Sequence, residues 1–148
     1  MRLWFTSSLA LVLLPALASA KTACDVFPID DAVVVLSQNA QQKDLGEAGC
    51  VYEIDTPHLV LFVTPPREIA NARLSFEETK QAKQRGGAVV KDEPGLGFSV
   101  VNKNAQMIYI LKGSSVFFIS LSNPGSSTPL PDLLDKMRIV AKRAATRL

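Results

Sequence analysis

The chain has 148 residues, 47% of them hydrophobic and 20% charged, with 16 Lys and Arg against 14 Asp and Glu and a formal net charge of +2. A balance so close to neutral lacks the basic surplus that nucleic acid or an acidic membrane surface demands of a main partner. The apolar share is that of an ordinary globular chain, and the length suits one domain with a real core.

Arg2 is followed by an uncharged run from Leu3 to Leu17 and then by Ala18-Ser19-Ala20, small residues where a signal peptidase reads. The expectation is a signal peptide over residues 1–20, cut before Lys21, and an exported domain over 21–148. A retained membrane anchor is the rival reading, but an apolar run of about 15 residues falls short of the roughly 20 that span a bilayer. Once residues 1–20 leave, Arg2 goes with them, and no later run approaches membrane length. The expected location is therefore the periplasm or the extracellular space, with no transmembrane anchor after cleavage.

Both cysteines, Cys24 and Cys50, fall in the exported part, where an oxidising compartment lets a disulfide persist. A bridge between them stabilises by roughly 3.5 kcal/mol in the chain-entropy description. The alternatives are free thiols or Cys24 as a lipid acceptor. Lys21-Thr22-Ala23 is a poor match to a lipoprotein signal, which wants Leu and then small residues.

In chain order, Asp30 caps a short helix from about Asp31 to Gln38, with Ala32, Val33 and Leu36 on one side. Gln41 to Glu47 reads as a polar turn. Tyr52-Glu53-Ile54-Asp55 alternates as a strand with one wet face, and Thr56-Pro57 turns the chain into His58-Leu59-Val60-Leu61-Phe62-Val63, apolar on both faces as an interior strand is. Pro65-Pro66 fits the first turn of an amphipathic helix of about 20 residues reaching Arg85 and ended by Gly86-Gly87, with Ile69, Ala72, Phe76, Thr79 and Ala82 at helical spacing. Ala88 to Ser122 holds four runs rich in β-branched and aromatic residues, punctuated at Pro94-Gly95, Asn102-Lys103-Asn104 and Gly113-Ser114, which is the pattern of an antiparallel meander. A loop rich in Pro, Gly, Ser and Thr spans Asn123 to Pro131. A second long helix over Asp132 to Leu148 carries Leu133, Leu134, Met137, Val140, Ala141 and Ala144 on one stripe.

The predicted order is α-β-β-α-β-β-β-β-α. It gives an α+β fold: a single antiparallel sheet of about six strands packed against two long amphipathic helices.

No side-chain set calls for an enzyme, a metal or a cofactor. His58 is the only histidine, it stands at a strand edge, and no G-x-S-x-G motif accompanies it. Asp30 and Asp31 are explained by helix capping; Glu53 and Asp55 share a strand face without completing a metal ligand set. Gly95-Leu96-Gly97 lacks the third glycine of a dinucleotide loop. The cations of the last helix, Lys136, Arg138, Lys142, Arg143 and Arg147, form a solvated face or a docking face for an acidic partner. Val60 and Phe62, with Val116 and Phe118, make a second apolar sheet face, which the three helices either close or leave partly open. That face, or a groove between it and the Asn123 to Pro131 loop, is the candidate binding surface for another envelope protein or an apolar small ligand.

Gly49-Cys50-Val51-Tyr52, Pro94-Gly95-Leu96-Gly97-Phe98, Leu111-Lys112-Gly113 before Val116-Phe117-Phe118, and a terminal alanine-rich basic helix resemble the small exported domains of the PsbP-like fold. Among these, they resemble an uncharacterised family of bacterial cell-envelope lipoproteins, from which the missing lipid-attachment signal departs. The resemblance implies an exported binding or accessory module without catalysis. A periplasmic inhibitor or immunity protein that blocks a hydrolase or toxin is the second reading, with the Asn123 to Pro131 loop as its plug. An enzyme of unfamiliar type would need His58, or Glu53 with Asp55, inside a cleft.

Overall fold

The computed structural model describes residues 20–148; the expected signal peptide over residues 1–20 lies, but for Ala20, outside the described residues. Among the described residues the fold is α+β, with one antiparallel sheet of eight strands and four α-helices. Two short helices, α1 (Ala23–Val26) and α2 (Ile29–Val35), precede β1 (Gln41–Asp44), β2 (Cys50–Asp55), β3 (His58–Val63) and β4 (Arg67–Glu68). Helix α3 (Ala72–Arg85) leads into the meander β5 (Val89–Glu93), β6 (Gly97–Val101), β7 (Ala105–Lys112) and β8 (Ser115–Ser122), and α4 (Leu134–Ala145) closes the fold. Across the sheet the order is β1-β2-β3-β8-β7-β6-β5, with β4 paired to β8.

The meander follows the expected runs, and its turns have local causes. Gly95 takes φ 74 in the Pro94-Gly95 turn, where Leu96 N–H donates to Glu93 O at 3.0 Å. Asn102 Oδ1 accepts from Asn104 N and Ala105 N at 2.9 and 2.8 Å, an Asx turn between β6 and β7.

Two strands exceed the expected six. Gln41–Asp44 is a strand rather than a turn, although all four side chains are exposed and carry no alternation. It is held by pairing with β2, Gln41 opposite Glu53 through Asp44 opposite Cys50. Arg67–Glu68 belongs to the sheet rather than to a helix. Residues preceding proline favour extended backbone, so Thr64-Pro65-Pro66 keeps the chain running along β8. There Thr64 Oγ1 accepts from Phe118 N at 2.9 Å where the two prolines offer no donor. Asn71 then turns the chain at φ 56, and α3 starts only at Ala72, with 14 residues in place of about 20.

The first helix also starts earlier than expected, at Ile29 behind Pro28, and α1 was not foreseen. The capping box of Thr22 and Asp25 stabilises α1 locally.

The long helices do not share a face of the sheet. On the first face, α1, α2 and α4 bury Tyr52, Leu61, Val63, Ile108, Ile110, Phe117, Ile119 and Leu121 beneath Phe27, Val35, Met137, Val140 and Ala144. On the second face, α3 lays Phe76 over Phe98, Val100 and Tyr109. The reason is the composition of β3, β7 and β8, apolar on both alternating faces, so that each face needs a cover.

Cys24 and Cys50 are disulfide-bonded, with Cα atoms 5.3 Å apart, which ties α1 to β2. In the same layer, Asp31 is buried and accepts from Arg147 Nη1 at 2.5 Å, with Arg143 Nη1 at 3.5 Å; Arg147 Nη1 also donates to Val26 O of α1 at 3.0 Å. Asp31 therefore joins α2 to α4 rather than serving as a helix cap.

Two outcomes test these anchors. Replacing both cysteines (Cys24→Ser with Cys50→Ser) is expected to cost roughly 3.5 kcal/mol in urea unfolding, matched by the oxidised protein under reductant. Asp31→Ala is expected to cost about 2 kcal/mol, less than a fully buried pair, because the side chains of Arg147 and Arg143 keep 33% and 52% of their exposure and rehydrate.

Candidate functional site

The second face of the sheet is where cover runs out. Register places Val51 opposite Phe62, Glu53 opposite Val60, Phe62 opposite Ser120 and Tyr109 opposite Phe118, so that these side chains lie on the α3 side. Five rings form a row across it. Centroids are 6.2 Å apart for Phe62 and Phe118, 5.2 Å for Phe118 and Tyr109, 4.7 Å for Tyr109 and Phe98, and 4.8 Å for Phe98 and Phe76. Contacts of this kind contribute about 0.5–1.5 kcal/mol each beyond area burial.

Helix α3 covers the Phe76, Phe98 and Tyr109 end, with Lys83 Nζ 6.0 Å from the Tyr109 centroid and Lys80 paired to Asp92. Among the described residues, no helix lies over the row beyond Tyr109. Val51, Val60, Phe62, Met107 and Phe118 are only partly buried, and the rim is polar, with Lys43, Glu53 and Asp55 exposed.

Each of the residues singled out as apolar candidates, Val60, Phe62, Val116 and Phe118, is on this face and half-buried. Val60, Phe62 and Phe118 are at the open end; Val116 lies opposite Arg67 of β4 and Leu111 of β7. The alternation reading of the strands missed the continuity of the row, because β3 meets β8 across a gap of more than fifty residues of chain. Phe98 and Tyr109 each sit among alternating apolar residues, which was the available signal.

The Asn123 to Pro131 loop leaves the sheet after Ser122, opposite Val60. Its far end, Pro129 and Leu130, lies on the first face, beside β5 and β6, at a groove of about 560 Å³ lined by Val89, Val101, Leu130 and Leu134 among others. Gln106, buried in β7, secures it: Gln106 Nε2 donates to Pro131 O at 2.9 Å and Gln106 Oε1 accepts from Leu133 N at 3.0 Å.

The residues considered for chemistry lie on the open surface rather than inside a cleft: Glu53, Asp55 and His58 are neighbours at the β2–β3 hairpin and all three are exposed. His58 is exposed at the β2–β3 hairpin, in register with Asp55. Glu53 and Asp55 line an open hollow of about 220 Å³ with Ser37, Asn39 and Gln41, and His58, the cross-strand neighbour of Asp55, is not among its lining residues. Among the described residues, no three His, Cys, Asp or Glu side chains are grouped to hold a metal ion, and no helix is long and apolar enough to cross a membrane. Gly95 and Gly97 serve a turn and a close contact: a Cβ on Gly97, at φ 156, would stand 2.5 Å from Phe76 Cζ.

The basic helix is less free than its sequence implied. Arg138 makes a two-pronged pair with the buried Glu93, Nε to Oε2 at 2.7 Å and Nη2 to Oε1 at 2.9 Å, and also reaches Asp135. With Arg143 and Arg147 on Asp31, only Lys136 and Lys142 of the five cations lack an ion pair among the described residues. Burial pushes the Glu93 carboxyl up, but the Arg138 guanidinium and the Ser99 hydroxyl outweigh it and hold Glu93 below its ordinary value.

No family model, curated protein or solved structure matches the chain.

Because the folded-state value of Glu93 is depressed, its contribution to stability is present above the ordinary carboxylate range and is lost as pH falls through the folded value. Glu93→Gln is expected to lower Tm near neutral pH while flattening the decline of Tm below about pH 4; parallel thermal melts of both proteins from neutral to acid pH check it. An unchanged acid limb would mean that other carboxylates dominate.

Proposed function

We propose that the chain is an exported, non-catalytic binding or accessory module of the bacterial envelope. It docks another envelope protein on the open end of the aromatic row formed by Val51, Val60, Phe62 and Phe118. One observation carries this reading: a helix covers one end of a continuous apolar face and leaves the other end to water, with a polar rim around it. Contiguous apolar surface of that kind on a folded chain is characteristic of interaction sites. Export is supported by the Cys24–Cys50 bridge, since such bonds persist in oxidising compartments. The PsbP-like resemblance of the strand and turn motifs points the same way, to a module that binds and does not catalyse.

The fixed geometry of the Asn123 to Pro131 loop favours a second reading, an inhibitor or immunity protein that inserts this loop into a hydrolase or toxin. Besides the Gln106 clamp, Asn123 Nδ2 donates to Thr128 O at 2.8 Å, so the loop is preorganised, as rigid plugs are.

Capture of tagged protein from its own cells separates the two. The expected result is a stoichiometric partner protein that is retained by wild type and by a variant with the loop tip shortened, but lost with Val60→Glu, while Tm changes little. Loss on loop shortening with retention by Val60→Glu would reverse the order of the readings. A partner kept by both variants would remove both.

A further inference from the structure

We propose that the groove between β5–β6 and the Asn123 to Pro131 loop is a second, independent site, for a small amphiphile with an apolar body and a single anionic group. The groove lies on the α4 side of the sheet, opposite the aromatic row. Its volume of about 560 Å³ is within the roughly 300–1,000 Å³ of small-molecule sites.

The character of the ligand's body follows from which polar groups are already committed. Gln106 spends its amide on Pro131 O and Leu133 N. The Ser99 side chain is buried, and the Glu93 carboxylate is held by Arg138. Val89 and Val101 line one side and Pro129, Leu130 and Leu134 the other. Against these five side chains a polar body would lose water contacts and gain no hydrogen bond in exchange, so an apolar body is favoured. Val89 stays 57% exposed on an edge strand, apolar area that such a ligand would cover.

The head group follows from charge. Lys91 and Lys103 line the groove, are exposed, and form no ion pair among the described residues. The one acid there, Asp132, is engaged: its Oδ1 accepts from Leu134 N at 3.2 Å at the start of α4, where the helix's positive end offsets a carboxylate. An anionic group therefore meets two uncommitted ammonium groups at the rim.

The probe for the test is 1-anilinonaphthalene-8-sulfonate, with N-phenyl-1-naphthylamine as its uncharged counterpart, both titrated by fluorescence at low salt. The sulfonate is expected to bind saturably at one site and to shift the amide resonances of Val89, Val101 and Leu130. Lys91→Glu with Lys103→Glu is expected to weaken it at least about tenfold without moving Tm, and the neutral probe by much less. The milder Lys91→Gln with Lys103→Gln pair should weaken the sulfonate by an intermediate factor, which keeps the test intact should the reversal perturb folding. Equal sulfonate affinity in wild type and the lysine variants would overturn the proposal, as would shifts confined to Val60, Phe62 and Phe118, or the absence of saturable binding. None of these outcomes bears on the docking of a protein at the aromatic row, which the Val60→Glu capture addresses separately.

Discussion

Strands β3, β7 and β8 lie at the centre of the sheet and are apolar on both faces, and the rest of the structure answers that constraint. A one-faced sheet needs a single layer of helices. Here Leu61, Ile108, Ile119 and Leu121 face one way, while Val60, Tyr109, Phe118 and Met107 face the other, so both sides need cover. The first side receives three helices. The second receives one, and α3 brings a thin stripe: Ala72 and Phe76 are its only buried residues, and Leu74 points to water at 61% exposure. The imbalance between two apolar faces and their unequal cover is what leaves an open surface.

The cover on the first face is held by charge as well as by packing. Helix α4 is tied near its start by Arg138 to Glu93 on β5 and near its end by Arg143 and Arg147 to Asp31 on α2. Pairs of this kind contribute specificity more dependably than net stability, because each buried carboxylate needs its cation in a fixed place. They set the rotation of α4, so that Met137, Val140 and Ala144 enter the core together. They also engage Arg138 and Arg143, two of the four cations of α4, and Arg147 just beyond it, in pairs within the fold.

Much of the fold was legible in the chain, and the illegible parts share a cause. The meander was readable because β-branched runs and Gly, Pro and Asn turns are local signals. The stripe of α4 was readable because five of its six expected positions are buried. By contrast β1 and β4 are short and fully exposed, so only their partners β2 and β8 make them strands. The start of α3 was misplaced because Pro65-Pro66 satisfies both a helix start and an extended segment, and the sheet edge decided between them. The pairing of Asp31 with Arg147 spans 116 residues, and at that distance capping was the only local reading available. The four apolar candidates followed from strand alternation, but the row they belong to depends on β3 lying beside β8, which no local pattern encodes.

The two ends of the aromatic row are built alike and finished differently. Phe62 lies over Gly49 and Phe76 over Gly97; a Cβ on Gly49, at φ 139, would stand 2.7 Å from the Phe62 ring, close to the 2.5 Å at Gly97. In each case an aromatic ring rests where only glycine leaves room for it, which fixes the ring as firmly as a packed core position would. At the Phe76 end the ring comes from the helix itself, so the row and its cover are one piece. At the Phe62 end the ring comes from the sheet, and among the described residues no helix follows it. A rigid, glycine-seated aromatic surface needs no rearrangement before contact, and a partner's apolar side chains can complete there what Phe76 completes at the other end.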